Sequence, residues 1–121
     1  MRNKETGSLG EKLAGDFLKA RGYQIIATNY RSPDGEIDII ASKGGITVFF
    51  EVRAKTSRAF GTPEESVTER KKQKLIAVSQ HYLQSLDLQP SGWRIDFIGV
   101  EMDSTGNPKR IQQIENAVVE E

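Results

Sequence analysis

A pair of glycines, Gly44 and Gly45, separates two apolar runs near the middle of the chain, and no other stretch constrains the fold as strongly. The run before the pair reads GEIDIIASK, and the run after it reads ITVFFEVRAK. Runs rich in Ile, Val and Phe on both sides of a Gly-Gly pair are typical of a β-hairpin with a two-residue loop. The sequence therefore predicts two antiparallel strands, over residues 36–41 and 46–54.

The register of this hairpin brings acidic residues together. If the two glycines form the loop, counting outward places Asp38 opposite Glu51 and Glu36 opposite Arg53. Opposed Cβ atoms lie about 5 Å apart, so the first two carboxylates would repel each other unless a cation lies between them. Carboxylate oxygens are the ligands that hard divalent cations prefer. We therefore interpret Asp38 and Glu51 as a candidate metal site, whereas a loop longer by one residue would place them on opposite faces.

The composition restricts the class of protein. A chain of 121 residues, with 36% hydrophobic and 28% charged residues, is typical of one soluble, globular domain that spans residues 1–121. The absence of cysteine excludes disulfides, thiolate metal sites and cysteine nucleophiles. We expect neither a membrane span nor a signal peptide, because no apolar run is long enough. A cytoplasmic location is the default expectation.

Acidic and basic residues are unevenly distributed although the net charge is zero. Residues 32–51 carry four acids and one base, whereas residues 52–74 carry seven bases and three acids. An acidic cluster beside a basic block can bind a metal ion and a phosphate backbone together. An ordinary solvated helix face is the alternative, and charge alone favours it. The candidate nucleic-acid contacts are Arg53, Lys55, Arg58, Arg70, Lys71, Lys72 and Lys74.

Helical periodicity predicts two helices. In the first, over residues 9–21, apolar side chains recur at helical spacing, and Ser8 with Glu11 matches a capping box. Glu11 lies at the edge of the buried face of this helix. The second helix is predicted over residues 69–86, after a short turn, with Thr68 as its N-cap.

Three further segments favour strands, over residues 23–29, 93–102 and 109–114. The long helix before residue 93 permits a parallel crossover between the strands that flank it. The predicted fold is therefore α/β, a single mixed β-sheet flanked by helices in the order α-β-β-β-α-β-β. We interpret Asp96 and Arg94 as a structural ion pair, and the lone His81 as a residue without a metal-binding role.

The acidic pair and its basic neighbour suit phosphodiester hydrolysis. A carboxylate-bound Mg²⁺ polarises a phosphoryl oxygen and lowers the pKa of a bound water. A nearby cation stabilises the charge that grows in the transition state. Arg53 lies two residues after Glu51 and faces the same way, and Glu11 could complete the metal shell from the first helix.

Motifs spread over nearly the whole chain resemble those of one family. They are Gly10-Glu11 with Ala14, a following Gly-Tyr, Asn29-Tyr30, GEIDII, FFEVRAK, FGTPEESVTERKKQKL, RIDFIGV and IENAV. In combination they resemble the YraN family of small bacterial proteins, which is similar to archaeal Holliday-junction resolvases and belongs to the restriction-endonuclease-like PD-(D/E)xK superfamily. The resemblance implies a restriction-endonuclease-like fold, a Mg²⁺- or Mn²⁺-dependent endonuclease activity on DNA, including branched or junction DNA, and a homodimer.

The resemblance also implies roles for individual residues. By resemblance, the metal-binding acids would be Glu11, Asp38 and Glu51. Together with the basic residues on the same strand face, the candidate catalytic set is Asp38, Glu51, Arg53 and Lys55. The superfamily usually has lysine where this chain has Arg53, and arginine does not readily give up a proton. Lys55 on the same strand face and Lys71 on the second helix are the candidate replacements.

Two other classes of function stay open at this point. One is a non-catalytic nucleic-acid-binding or adaptor module on the same fold, which the arginine at position 53 favours. The other is a protein that binds a protein partner without metal, through its acidic C-terminal segment and its basic helix. The literal Pro33-Asp34 dipeptide is interpreted as part of a turn, because Asp38 is the acid that faces Glu51.

Overall fold

The computed structural model of the chain describes residues 3–57 and 61–118. Its elements in chain order are α1 (Asn3–Ala20), β1 (Gln24–Ser32), β2 (Gly35–Lys43), β3 (Ile46–Lys55), a short 3-10 helix (Glu64–Ser66), α2 (Glu69–Gln84), β4 (Gly92–Met102) and β5 (Pro108–Ile114). Apart from the short 3-10 helix, this is the predicted order α-β-β-β-α-β-β. Neither α1 nor α2 combines the length and the apolar character that crossing a bilayer requires.

The five strands form one mixed sheet in the order β1-β2-β3-β4-β5. Neighbouring strands are antiparallel except for β3 and β4, which are parallel because α2 crosses over between them. Lys43 pairs with Ile46 across the glycines, as predicted. Gly44 and Gly45 have φ values of 59° and 81°, the left-handed backbone that a tight two-residue hairpin loop requires.

The two helices cover opposite faces of the sheet and divide the core in two. Adjacent side chains of β3 show this division, because Phe50 packs with Leu18 of α1 whereas Phe49 packs with Leu75 of α2. All four of these side chains are almost fully buried. The sheet is therefore apolar on both faces, and an acidic side chain within it needs a specific explanation.

Several predicted boundaries differ from the structure. The first helix begins at Asn3, so Ser8 lies inside it and the capping-box interpretation is wrong. The periodic apolar residues mark only the part of this helix that packs on the sheet, and polar turns precede it. Strand β1 continues to Ser32 because it pairs with β2 as far as Gly35. The predicted cap of α2 is confirmed, since Thr68 Oγ1 accepts a hydrogen bond of 3.2 Å from the Lys71 N–H.

The predicted ion pair of Arg94 and Asp96 is present within a buried network. Asp96 is fully buried and accepts hydrogen bonds from Arg94 Nε at 3.0 Å, from Gln113 Nε2 at 2.9 Å and from the Asn116 N–H at 2.9 Å. A buried carboxylate with three donors is satisfied. This network ties β4 to β5 and to the residues after it.

Candidate acidic centre

The candidate site lies where β2 and β3 stop pairing. Their backbone ladder ends at the pair of Ile39 and Phe50. Asp38 comes next on β2, and its Oδ2 accepts a hydrogen bond of 2.8 Å from the Val52 N–H of β3. The Asp38 side chain therefore replaces a backbone carbonyl as the acceptor for the Val52 N–H. This hydrogen bond holds the Asp38 carboxyl beside β3, the strand that carries Glu51.

A second irregularity lies next to it, on β1. Asn29 has a φ of 52°, in the left-handed region, although it lies inside a strand. The paired register of β1 and β2 skips Asn29 and Asp38. Ile37 and Ile39, which would share a face in a regular strand, instead pack in the cores on opposite faces. Asp38 therefore lies at a twist in β2, from which its carboxyl can reach both sides of the sheet.

Three carboxyl groups meet at this twist. Glu11 from α1 and Glu51 from β3 each share a hydrogen bond with the Asp38 carboxyl. Burial, followed by the charge of Asp38, raises the pKa of Glu51 to about 8 and that of Glu11 to about 7. The centre is therefore short of positive charge, and a bound cation would relieve the repulsion that contributes to both raised values.

Two cationic side chains lie beside Glu51. Its Oε2 is 2.9 Å from Arg53 Nη2 and 3.8 Å from Lys71 Nζ, while the Glu51 side chain is only 4% exposed. Both cations lower the pKa of Glu51, but burial outweighs them. Arg53 Nε is buried and has no hydrogen-bond partner among the described residues. An anionic phosphate that approached Glu51 would meet both cations.

The three acids are linked in a chain. Asp38 lies between Glu11 and Glu51, and within residues 3–57 and 61–118 no three acidic or histidine side chains form a ready-made metal-ligand set. The chemistry of the donors nevertheless fits a hard divalent cation, because carboxylate oxygens are its preferred ligands. We conclude that Asp38 with Glu51 is the primary pair of candidate ligands, and Glu11 the adjoining third.

The structure discriminates between the two lysines that were candidates to replace a catalytic lysine. Lys55 pairs with Glu101 of β4 and lies four residues beyond Glu51, about 13 Å along the strand. Lys71, from the first turn of α2, is within 3.8 Å of the Glu51 carboxylate. Among the described lysines, Lys71 is therefore the one that the fold brings to the acidic centre.

The other predicted site residues have different surroundings. Glu36 was predicted opposite Arg53, but the ladder of β2 and β3 ends before it. Its Oε2 lies 3.6 Å from Arg31 Nε, and its charge contributes to the raised pKa of Glu11. Arg70, Lys72 and Lys74 lie at the surface near the start of α2. Arg58 lies outside the described residues.

Sequence reasoning missed one residue of the centre, Asn29. Its side chain is hydrogen-bonded to Glu11, and this bond lowers the pKa of that carboxyl against the effects that raise it. Asparagine is depleted in strands and tolerates left-handed backbone. An asparagine within a β-forming segment was the available signal.

The raised pKa values predict that metal binding depends on pH. Glu51 and Glu11 must lose protons to bind a cation, so we expect the Mn²⁺ affinity to fall as the pH drops below about 8. Titration calorimetry in buffers of different ionisation enthalpy would measure the protons released. The variant Glu51→Gln should release fewer protons, and an affinity that does not change between pH 8 and pH 6 would contradict the expectation.

The stability of the metal-free protein should depend on pH in the opposite direction. Because burial raises the pKa of Glu51 from 4.5 to about 8, the folded state holds a proton that the unfolded state has lost between these values. The contribution to stability is therefore complete below about pH 4.5 and is lost as the pH rises through about 8. The melting temperature of Glu51→Gln should therefore fall less than that of the unsubstituted protein as the pH rises from about 4.5 to about 8.

The fold and this centre define an α/β protein with clustered carboxyl groups where two strands separate. By sequence the chain belongs to the uncharacterised protein family UPF0102, or YraN, whose sequence model matches residues 10–100. A UPF0102 protein of Dehalococcoides mccartyi is 49% identical over 118 residues, which cover 98% of this chain and 96% of that relative. The predicted family membership is thereby confirmed.

Two further relatives match over most of their length. UPF0102 proteins of Alkaliphilus oremlandii and Symbiobacterium thermophilum are each 42% identical over 115 residues, 95% of this chain, and the matches cover 98% and 97% of those proteins. The names of these relatives state a family and no activity. The acidic centre itself is therefore the main indication of function.

Proposed function

We propose that this protein is a metal-dependent endonuclease that hydrolyses phosphodiester bonds in DNA. The observation that carries the proposal is the position of Asp38, whose carboxyl contacts both Glu11 and Glu51 beside the cations of Arg53 and Lys71. Carboxylates with raised pKa values next to cationic side chains suit a site that binds a divalent metal and a phosphate together.

Each residue of the centre has a role in this mechanism. Asp38 and Glu51 would hold Mg²⁺ or Mn²⁺, and Glu11 would join them from α1. An ion bound by these carboxylates would supply a Lewis acid, which polarises a phosphoryl oxygen and lowers the pKa of the attacking water. Asn29 orients the Glu11 carboxyl through their hydrogen bond.

The two cations would stabilise the phosphate. An arginine guanidinium does not readily give up a proton, so Arg53 would stabilise growing negative charge and would not act as a base. Its position beside Glu51, with a buried Nε that lacks a partner among the described residues, suits a phosphate oxygen. Lys71 would offer a second cation from α2, and its distance of 3.8 Å from Glu51 favours it over Lys55 for the role that the sequence left open.

A panel of DNA substrates tests the activity. Linear duplex, single-stranded and four-way junction DNA would be incubated with Mg²⁺ or Mn²⁺, and cleavage would be followed on gels. We expect Glu51→Ala to lower the rate by at least about a hundredfold, the usual scale for losing one group that stabilises the transition state. Cleavage that survives this substitution would indicate a contaminating nuclease and overturn the proposal. Faster cleavage of the four-way junction than of the linear duplex would support branched DNA as the substrate. Analytical ultracentrifugation of the same protein would test whether it is a homodimer.

Binding to DNA should weaken steeply with salt. Lys74 is exposed near the start of α2, next to Lys71, where a phosphate backbone would pass. Each phosphate that a lysine neutralises contributes about 0.9 to the slope of log affinity against log salt concentration. We expect Lys74→Gln to reduce that slope by about this amount, measured by fluorescence anisotropy. Lys109→Gln, an exposed lysine on β5, is the matched control, and equal slopes in both variants would contradict the proposed path of the backbone.

One observation favours a second candidate function. Arg53 stands where a catalytic lysine is usual, and its guanidinium already bonds the Glu51 carboxylate at 2.9 Å. A non-catalytic nucleic-acid-binding or adaptor module on the same fold would tolerate this arrangement. Such a module would bind the DNA panel with the expected salt dependence and would cleave none of its members.

A further inference from the structure

A groove with a volume of about 290 Å³ runs between α1 and β1 and opens beside the acidic centre. Glu11 and Asn29 belong to both. Apolar atoms of Ile25 and Ile39 line the groove, and Gly15 leaves it open on the helix side, since a Cβ atom there would meet nothing within 4 Å. The groove approaches the size at which pockets hold small organic molecules, about 300 Å³.

The lining of the groove is electrically balanced. Glu11 and Asp16 are matched by Lys12 and Lys19, and Lys12 Nζ is already 2.9 Å from Asp16 Oδ2. A phosphate group would gain little from such a lining, whereas the cations near Glu51 lie outside it. The groove therefore suits an uncharged ligand.

The lining combines apolar and polar side chains. Ile25, Thr28 and Asn29 all line the groove from β1, so it offers both apolar atoms and hydrogen-bonding groups. A nucleobase has the same combination, with apolar faces and a polar edge. Because Glu11 joins the groove to the acidic centre, a base in the groove would belong to a nucleotide next to the scissile phosphate.

We propose that the groove between α1 and β1 receives an unpaired nucleobase that adjoins the scissile phosphate, which makes DNA with unpaired nucleotides the preferred substrate class. The inference rests on the proposed nuclease function. A base stacked in a duplex cannot enter a groove of this kind unless it leaves the stack, and leaving the stack is easiest for a base that is already unpaired. Flaps, bulges and single strands provide such bases.

Two glycines of α1 provide a matched pair of variants. Gly15 lines the groove and Gly7 does not, and a Cβ atom at either position would meet nothing within 4 Å. Gly15→Leu should fill the groove and Gly7→Leu should not, while both should stay folded. Binding would be measured by anisotropy in EDTA, where no cleavage occurs, with a labelled duplex and with the same duplex carrying an unpaired 2-aminopurine.

We expect the unsubstituted protein and Gly7→Leu to bind the duplex with the unpaired 2-aminopurine about tenfold more tightly than the fully paired duplex. The 2-aminopurine fluorescence should change on binding, because the base leaves water. Gly15→Leu should bind the duplex normally and lose both effects. Equal preference in Gly15→Leu and Gly7→Leu would overturn the inference.

A second variant keeps the test independent of helix packing. Thr28→Phe narrows the groove from β1 at an exposed position and should have the same effect as Gly15→Leu. If the protein prefers the unpaired probe in EDTA but cleaves no DNA with metal, the groove proposal is supported and the proposed nuclease function is contradicted. If it cleaves DNA without preferring unpaired nucleotides, the nuclease function stands and the groove proposal is overturned. Absence of binding to both probes overturns the groove proposal, and absence of both binding and metal-dependent cleavage overturns the nuclease function as well.

Discussion

Replacing Asp38 by asparagine is expected to stabilise the metal-free protein and to abolish its binding of divalent metal. The Asp38 carboxyl is the group that both Glu11 and Glu51 face, and its charge contributes to the raised pKa of each. An asparagine Oδ1 can still accept the hydrogen bond that the Val52 N–H donates to Asp38 Oδ2. The local fold should persist while the repulsion within the centre falls.

The expected gain depends on pH in a definite direction. At pH 8, removing the half-buried like charge of Asp38 should raise the free energy of unfolding by about 1–2 kcal/mol. Near pH 4.5 the gain should vanish, because Glu11 and Glu51 are then protonated in the folded Asp38 protein. Chemical denaturation at both pH values would measure the difference.

The loss of metal binding should accompany that gain. Calorimetry with Mn²⁺ should show binding to the unsubstituted protein and none to Asp38→Asn, because the variant lacks the carboxylate between the two glutamates. Asp34→Asn is the matched control, since Asp34 is an exposed acid in the turn before β2. Equal and weak heats in the unsubstituted protein and in both variants would exclude a metal site at the centre.

The hairpin register was predictable because two local signals agree. Gly44-Gly45 specifies a two-residue loop, and the apolar pattern on both sides specifies which side chains share a face. These signals were sufficient to bring Asp38 and Glu51 together. They could not show where the ladder ends, because that depends on a side chain, Asp38, accepting the hydrogen bond of the Val52 N–H.

The contributions of α1 and α2 to the centre were harder to predict. Strand periodicity places Lys55 on the same face as Glu51. Periodicity does not show that Lys55 is four residues away along the strand, nor that a side chain from α2 comes closer to Glu51 than Lys55 does. Lys71 reaches Glu51 through the packing of α2, which is a tertiary effect. Likewise the left-handed backbone of Asn29 has no periodic signal, because a single residue in this conformation leaves the apolar pattern of the strand unchanged.

The position of Glu11 depends on a close contact between α1 and β3, at Gly10. A Cβ atom at Gly10 would lie 2.5 Å from the Cβ atom of Ala54, closer than real Cβ atoms approach. Gly10→Ala should therefore move α1 away from the sheet and destabilise the protein by about 1–3 kcal/mol, the usual scale for overpacking. Glu11 is the next residue, so we expect the Mn²⁺ affinity to fall about tenfold, the scale of a 1.4 kcal/mol change.

Two variants test this explanation against a general effect of alanine. Gly7→Ala on the same helix meets nothing within 4 Å and should raise stability by roughly 0.5–1 kcal/mol, the usual difference between glycine and alanine in a helix. The double variant Gly10→Ala with Ala54→Gly removes the clash, because the contact then contains one Cβ atom, that of residue 10, and no longer two. If the contact positions Glu11, this double variant should recover metal affinity that Gly10→Ala loses, a coupling that two independent substitutions would not show. Full metal affinity in Gly10→Ala alone would mean that Glu11 is not held by this contact, and that Asp38 and Glu51 bind the ion without it.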